Sequence, residues 1–158
     1  MKQHVVHRIR PLTALLIGLT LLFPVLLTGC GMIRGGNASE VVVTQVPSEI
    51  YTEKEINSAI SVIKKDFALS WSGCTLREIG YAGDEINRQW SEDYLVRQHE
   101  DFEESWGTFD QVLVLISSFD VDGSGGDGSL NANSTYTGWN WILVRDGNGP
   151  WRHVDHGY

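Results

Sequence analysis

Four oxygen-bearing side chains in the stretch Ser117–Trp139, SSFDVDGSGGDGSLNANSTYTGW, are spaced much as a hard cation requires. Counted as a calcium loop, Asp120, Asp122 and Ser124 take positions 1, 3 and 5. Gly125 takes the turn position 6, and Gly126 offers its carbonyl at position 7. The pattern then breaks. Position 12 is Asn131 rather than a bidentate glutamate, and the flanking segments read as strands rather than helices. Asp127 adds a third carboxylate that could complete a different geometry, and a Ca²⁺ ion would relieve the mutual repulsion of the three aspartates. The competing reading is a hairpin connection kept soluble by Asp, Gly, Ser and Asn. It is longer than most such connections, and long loops in small domains often carry function.

A second set lies at the end of the sequence, in Trp151–Tyr158, WRHVDHGY. On a regular strand His153 and Asp155 share a face and His156 points away. Three such groups cannot meet on one metal without a bend. His153 with Asp155 could act as an acid–base pair, because a carboxylate beside an imidazole favours its protonated form. The alternative is a polar strand face whose histidines are hydrogen-bonded. A third set is Trp139, Trp141 and Trp151, on neighbouring strand-like segments, which could form an aromatic platform for a sugar or a peptide or could be core. Cys74 has no histidine or basic cluster beside it in sequence, and reads as a buried, inert thiol.

Several chemistries find no support. The sequence contains no P-loop, no zinc-finger cysteine set, no G-x-S-x-G and no H-E-x-x-H. Apart from Ca²⁺, no cofactor is expected. The formal net charge is −8, and the residues from 30 onward carry 9 basic and 20 acidic side chains, a formal −11. A surface of that sign repels phosphate backbones, so nucleic acid is not an expected partner.

The first thirty residues read as an address. Met1–Arg10 is basic, Leu12–Leu27 is almost wholly apolar, and Leu27-Thr28-Gly29-Cys30 follows. A basic start, an apolar middle and a small-residue site mark a secretory signal segment. The last four residues match the bacterial lipobox pattern, which implies cleavage before Cys30 and a lipid on its sulfur. The apolar run is short for a spanning helix, and Pro24 interrupts it. The expected organisation is a signal peptide over 1–29, a lipidated N-terminus and tether over 30–48, and one domain over 49–158. Cys30 would hold the chain to a cell membrane on its extracytoplasmic face, and eighteen extended tether residues would reach about 60 Å. With Cys30 lipidated, Cys74 has no disulfide partner.

The elements that must position these groups are legible as periods. Thr52-Glu53-Lys54-Glu55 is a capping box, and Ile56, Ala59, Ile60, Ile63 and Phe67 follow at helical spacing. A helix is expected over 53–69 with that face buried, after an edge strand within 41–46. Cys74–Tyr81 reads as a strand. Ile86, Trp90 and Tyr94, four apart, predict a second, acidic helix within 84–107, with Glu100–Glu104 as a solvated face. Gln111–Phe119 is a near-continuous apolar run, as in a strand covered on both faces. Asn140–Arg145 and Trp151–Tyr158 supply two more strands, joined by Asp146–Pro150 as a turn. The fold class is α+β, with an amphipathic N-terminal helix and a second helix packed on a curved antiparallel sheet.

That order resembles the cystatin-like and NTF2-like folds. Ser118–Leu130, Trp139–Arg145 and Trp151–Tyr158 also resemble a group of uncharacterised lipoproteins of Gram-positive bacteria. The resemblance covers about Thr52–Tyr158. It implies fold and location and leaves the chemistry open, since such folds host enzymes and binding modules alike. Three functions are therefore expected in turn: a membrane-anchored module binding a ligand or protein partner, a small enzyme using His153 and Asp155, or a calcium-stabilised structural module.

Overall fold

The computed structural model describes residues 35–97 and 106–158. Cys30, the signal segment and Glu100–Glu104 lie outside them. The element order is β1 (Val42–Thr44), α1 (Glu53–Ser70), β2 (Cys74–Tyr81), α2 (Asp84–Arg97), β3 (Gln111–Val121), β4 (Thr135–Arg145) and β5 (Arg152–Gly157). The strands form one sheet in the order β1-β2-β3-β4-β5.

The helix expected from the capping box is α1. Thr52 Oγ1 accepts from the Glu55 amide, and Glu55 Oε2 accepts from the Thr52 amide at 2.9 Å. Its buried residues are Ile56, Ala59, Ile60, Ile63 and Phe67, the face the spacing predicted. They pack with Leu113, Leu115, Trp141 and Leu143 from one face of the sheet. The alternate residues Val112, Ile142 and Val144 cluster with Tyr94 of α2 and Phe109. Successive strand side chains point to opposite faces, so α1 and α2 cover opposite faces of β3 and β4. This is why Val112–Ile116 of β3 and Trp141–Val144 of β4 are apolar at every position. Buried Asn87 fastens α2 to β3, donating to the Val112 carbonyl and accepting from the Val114 amide at 2.8 Å.

The sheet departs from expectation in three ways. It is mixed, because β1 runs parallel to β2, while β2 through β5 pair antiparallel. The physical reason is α1 itself: a crossover helix returns the chain to the end it started from. The β3–β4 hairpin is longer than the apolar runs suggested. β3 extends to Val121 and β4 begins at Thr135, so polar Thr135–Thr137 are strand rather than loop. The residues read as a tether are also bonded to the domain from Gly36 onward. The Gly36 amide donates to the Phe67 carbonyl, and Asn37 bridges to β2. A Cβ on Gly35 would lie 1.6 Å from the Ala68 carbonyl oxygen, so glycine is what permits this approach.

Besides a bulge at Arg77 in β2, two β-bulges interrupt the strand alternation in β4 and β5. Ser117 pairs with Trp139 and Ser118 with Thr137, leaving Gly138 as the extra residue with φ +74°. Ile142 pairs with Asp155 and Leu143 with His153, leaving Val154 as the extra residue. A bulge shifts the alternation by one and so changes which side chains share a face.

Candidate functional site

The two bulges assemble one aromatic and histidine cluster over the C-terminal end of α1. Gly138 brings Tyr136 to the face of Trp139, and both pack on Phe119 with ring centres 5.1 and 5.5 Å away. Val154 brings His156 to the face of His153, with ring centres 5.2 Å apart. Trp71, the residue that ends α1, closes the group. Its ring centre lies 4.8 Å from Trp141, 5.9 Å from Trp139 and 5.0 Å from His156.

His153 and Asp155 therefore do not form the expected pair. The bulge turns Asp155 to the α2 side, where its carboxylate accepts from the Tyr94 hydroxyl. His153 instead meets Asp66 of α1, Nδ1 to Oδ2 at 2.8 Å, with the imidazole largely buried. Its Nε2 lies 3.0 Å from the Asp155 carbonyl oxygen and 3.3 Å from His156 Nδ1. Burial among the indoles, and then the neighbouring His153, lower the pKa of His156. Nothing in the local sequence pattern singles out Asp66. A carboxylate near the C-terminal end of a helix opposes the helix dipole, and that anomaly is the available signal.

The tryptophans also divide differently from expectation. Trp141 and Trp151 are buried, 0 and 5 % exposed, and offer no face to a ligand. Trp141 donates from Nε1 to Ser117 Oγ at 2.8 Å, and Arg145 covers Trp151 at 4.2 Å. Trp139 is half-buried and, with Trp71, walls a cleft of about 400 Å³ that His156, Leu130 and Asp127 also line. Cys74 lies at its floor, 2 % exposed, in keeping with an inert thiol. Burial, then the carboxylates of Asp122 and Asp127, push its pKa up. It is therefore no ready thiolate nucleophile.

The three loop carboxylates are not gathered into one group. Asp120 sits in β3, paired with Arg77 Nε at 2.7 Å and accepting from Thr135 Oγ1 at 2.7 Å. Asp122 accepts from the amide and hydroxyl of Ser124, and Asp127 from the Ser129 amide at 3.0 Å. These bonds hold all three carboxyls below their ordinary pKa. The last two are turn-forming bonds of the kind Asp commonly makes. Millimolar Ca²⁺ is accordingly expected to leave the thermal midpoint of the chain unchanged relative to chelator. A rise of several degrees on adding Ca²⁺ would show that the loop reorganises around the ion.

A larger cleft, about 590 Å³, lies on the far side between α2 and the ends of β3 and β4. Its charged lining residues, Arg88, Arg145, Glu55, Glu92 and Asp110, carry both signs, with Arg145 paired to Glu55. It lacks an aromatic wall comparable to Trp71 and Trp139. Comparison with protein-family models, curated proteins and solved structures gives no match for this sequence. The function of the site is therefore inferred from its geometry.

Proposed function

We propose that this chain is a lipid-anchored extracytoplasmic module that binds a ligand at the cell envelope, in the cleft between Trp71 and Trp139. The observation that carries this reading is the cleft itself. Two indole walls with hydroxyls and a carboxylate at the rim (Ser70, Ser72, Ser129, Asp127) suit a neutral sugar or peptide segment, which stacks on rings and hydrogen-bonds at its edge. The acidic surface argues against an anionic ligand.

The lipobox supports the anchor, and the resemblance to uncharacterised lipoproteins of Gram-positive bacteria supports the location. A lipid on Cys30 would anchor the chain at the membrane. On the fold, α1 lying across antiparallel β2–β5 supports the cystatin-like or NTF2-like assignment. The parallel β1 and the second helix on the other face depart from it.

The test is tryptophan emission of the full chain titrated with neutral oligosaccharides and short neutral peptides. Saturable change is expected for the native chain, weakened about tenfold or more by Trp139→Ala, since one stacked ring contributes about 1–3 kcal/mol. A ligand that binds Trp139→Ala equally well would place its site elsewhere.

A second reading, a small enzyme, is favoured by the contact of Asp66 with His153, which orients an imidazole as acid–base catalysts require. Under it, turnover of a general ester or glycoside panel would disappear in His153→Gln. Binding without any turnover in the native chain would leave the first reading alone.

A further inference from the structure

The bulge at Val154 has a consequence that ligand stacking does not use. Three polar atoms crowd one point: His153 Nε2, the Asp155 carbonyl oxygen 3.0 Å away and His156 Nδ1 3.3 Å away. On the opposite edge of its ring, His153 Nδ1 faces the Asp66 carboxylate at 2.8 Å, so Nδ1 carries a proton. A neutral His153 then presents the Nε2 lone pair to a carbonyl oxygen and to a second imidazole. A proton, on Nε2 or on His156 Nδ1, or a metal ion completes this contact. A proton on Nε2 is shared between two acceptors, whereas a metal ion can take both nitrogens at once.

The spacing fits the ion. Two imidazole nitrogens held about 2.05 Å from one tetrahedral ion lie about 3.3 Å apart, with ring centres about 5.2 Å apart. The observed separations are 3.3 and 5.2 Å. A straight N–H···N bond of the same length would set the centres about 5.6 Å apart, so the two rings converge on a point beside the line joining them. Asp66 stands where the outer carboxylate partner of a metal-bound histidine stands, on the far ring nitrogen, fixing tautomer and orientation. Trp71, Trp139 and Trp141 supply the apolar surround.

We propose that His153 Nε2 and His156 Nδ1 bind a divalent transition-metal ion of the zinc and copper class, with Asp66 as its orienting partner. The imidazole ligands select this class over Ca²⁺ or Mg²⁺. The protein side-chain ligands proposed are these two alone: among the described residues no group of three or more His, Cys, Asp or Glu side chains is arranged to hold a metal. The Asp155 carbonyl oxygen, 3.0 Å from Nε2, and water would supply the rest. With half the protein ligands of a structural zinc site, a Kd of about 1–100 µM is expected. The assignment stands whether or not the cleft takes the ligand proposed above.

The experiment is calorimetric titration of the untagged full chain in detergent with Zn²⁺ alone at neutral pH, paired with Cu²⁺ titration read by tryptophan emission. Trp71 and Trp141 lie 5.0 and 5.5 Å from His156, close enough for paramagnetic quenching. A saturable component is expected in the native chain. His156→Asn should weaken it at least about tenfold, and Asp66→Asn about tenfold while keeping its stoichiometry. His156 also packs on Trp71, Trp139 and Trp141, so the metal-free melting midpoint of His156→Asn is measured alongside, and Asp66→Asn, which removes no ring contact, gives the second comparison. No saturable binding below about 1 mM, or the same Kd in His156→Asn, overturns the proposal. Persistent binding would belong to His4, His7, Cys30 or His99 elsewhere in the sequence.

Discussion

Trp141→Ala is expected to destabilise the domain by about 4 kcal/mol, lowering the thermal midpoint by more than about 10 °C. Trp141 is fully buried on β4 and touches Phe67 and Trp71 from α1 and the rings of His153 and His156 from β5. Alanine there removes the largest buried side chain of the main core and leaves a cavity that two strands and a helix must close over. It also strips Ser117 Oγ of its indole donor in a buried setting. Trp141→Phe keeps much of the volume and loses the hydrogen bond, so a loss of about 1–2 kcal/mol is expected. Urea unfolding of both variants separates the packing and hydrogen-bond contributions. A cost below about 1 kcal/mol for the alanine variant would mean that α1 does not pack on β4 as described.

Arg145→Ala is expected to cost about 3 kcal/mol and to change the acid limb of stability as well. Arg145 is 7 % exposed at the end of β4. It pairs with Glu55 of α1, donates from Nε to Gln111 Oε1 at 2.8 Å and covers the Trp151 ring. Its stem packs while its head bonds, so truncation removes both. The expected cost sits at the lower end for a broken buried pair, because Glu55, with 28 % of its side chain exposed, rehydrates. Hydrogen bonding from Arg145, then from Thr52, lowers the Glu55 pKa from 4.5 to about 2. A depressed folded-state pKa gives stability that is complete above the unfolded value near 4.5. That stability is lost as pH falls toward about 2. Allowing for solvent screening, the contribution is about 1–2 kcal/mol. The native chain should therefore lose more stability between pH 5 and 2 than Arg145→Ala, as denaturant midpoints across that range would show. Parallel acid limbs would separate Glu55 from Arg145.

The candidate site is partly legible in sequence. The residue types are right: His153, His156, Trp139, Trp141 and Asp127 come together around one cleft and its ring cluster. The pairings are not. Strand alternation with period two matches His153 to Asp155, and Val154 breaks that period. Asp66 is separated from His153 by 87 residues, and no local pattern couples them. Trp71 stands just past the predicted helix with no motif around it, yet its ring forms a wall of the cleft. Trp151 lies on a strand-like segment suited to a platform, but Arg145, from the preceding strand, covers its ring.

What the sequence determined by itself was everything decided within one window of the chain. The capping box of Thr52 and Glu55 set the start of α1, and the spacing of Ile56, Ile60, Ile63 and Phe67 set its buried face. The apolar runs marked β3 and β4 as central strands, and Cys74–Tyr81 is a strand at the bounds expected. What only the tertiary structure decided was register. Whether β1 pairs parallel or antiparallel, where Gly138 and Val154 bulge, and which groups thereby share a face depend on hydrogen bonds between strands distant in sequence. A single extra residue in one strand moves every later side chain to the other face, and no local preference fixes where that residue falls.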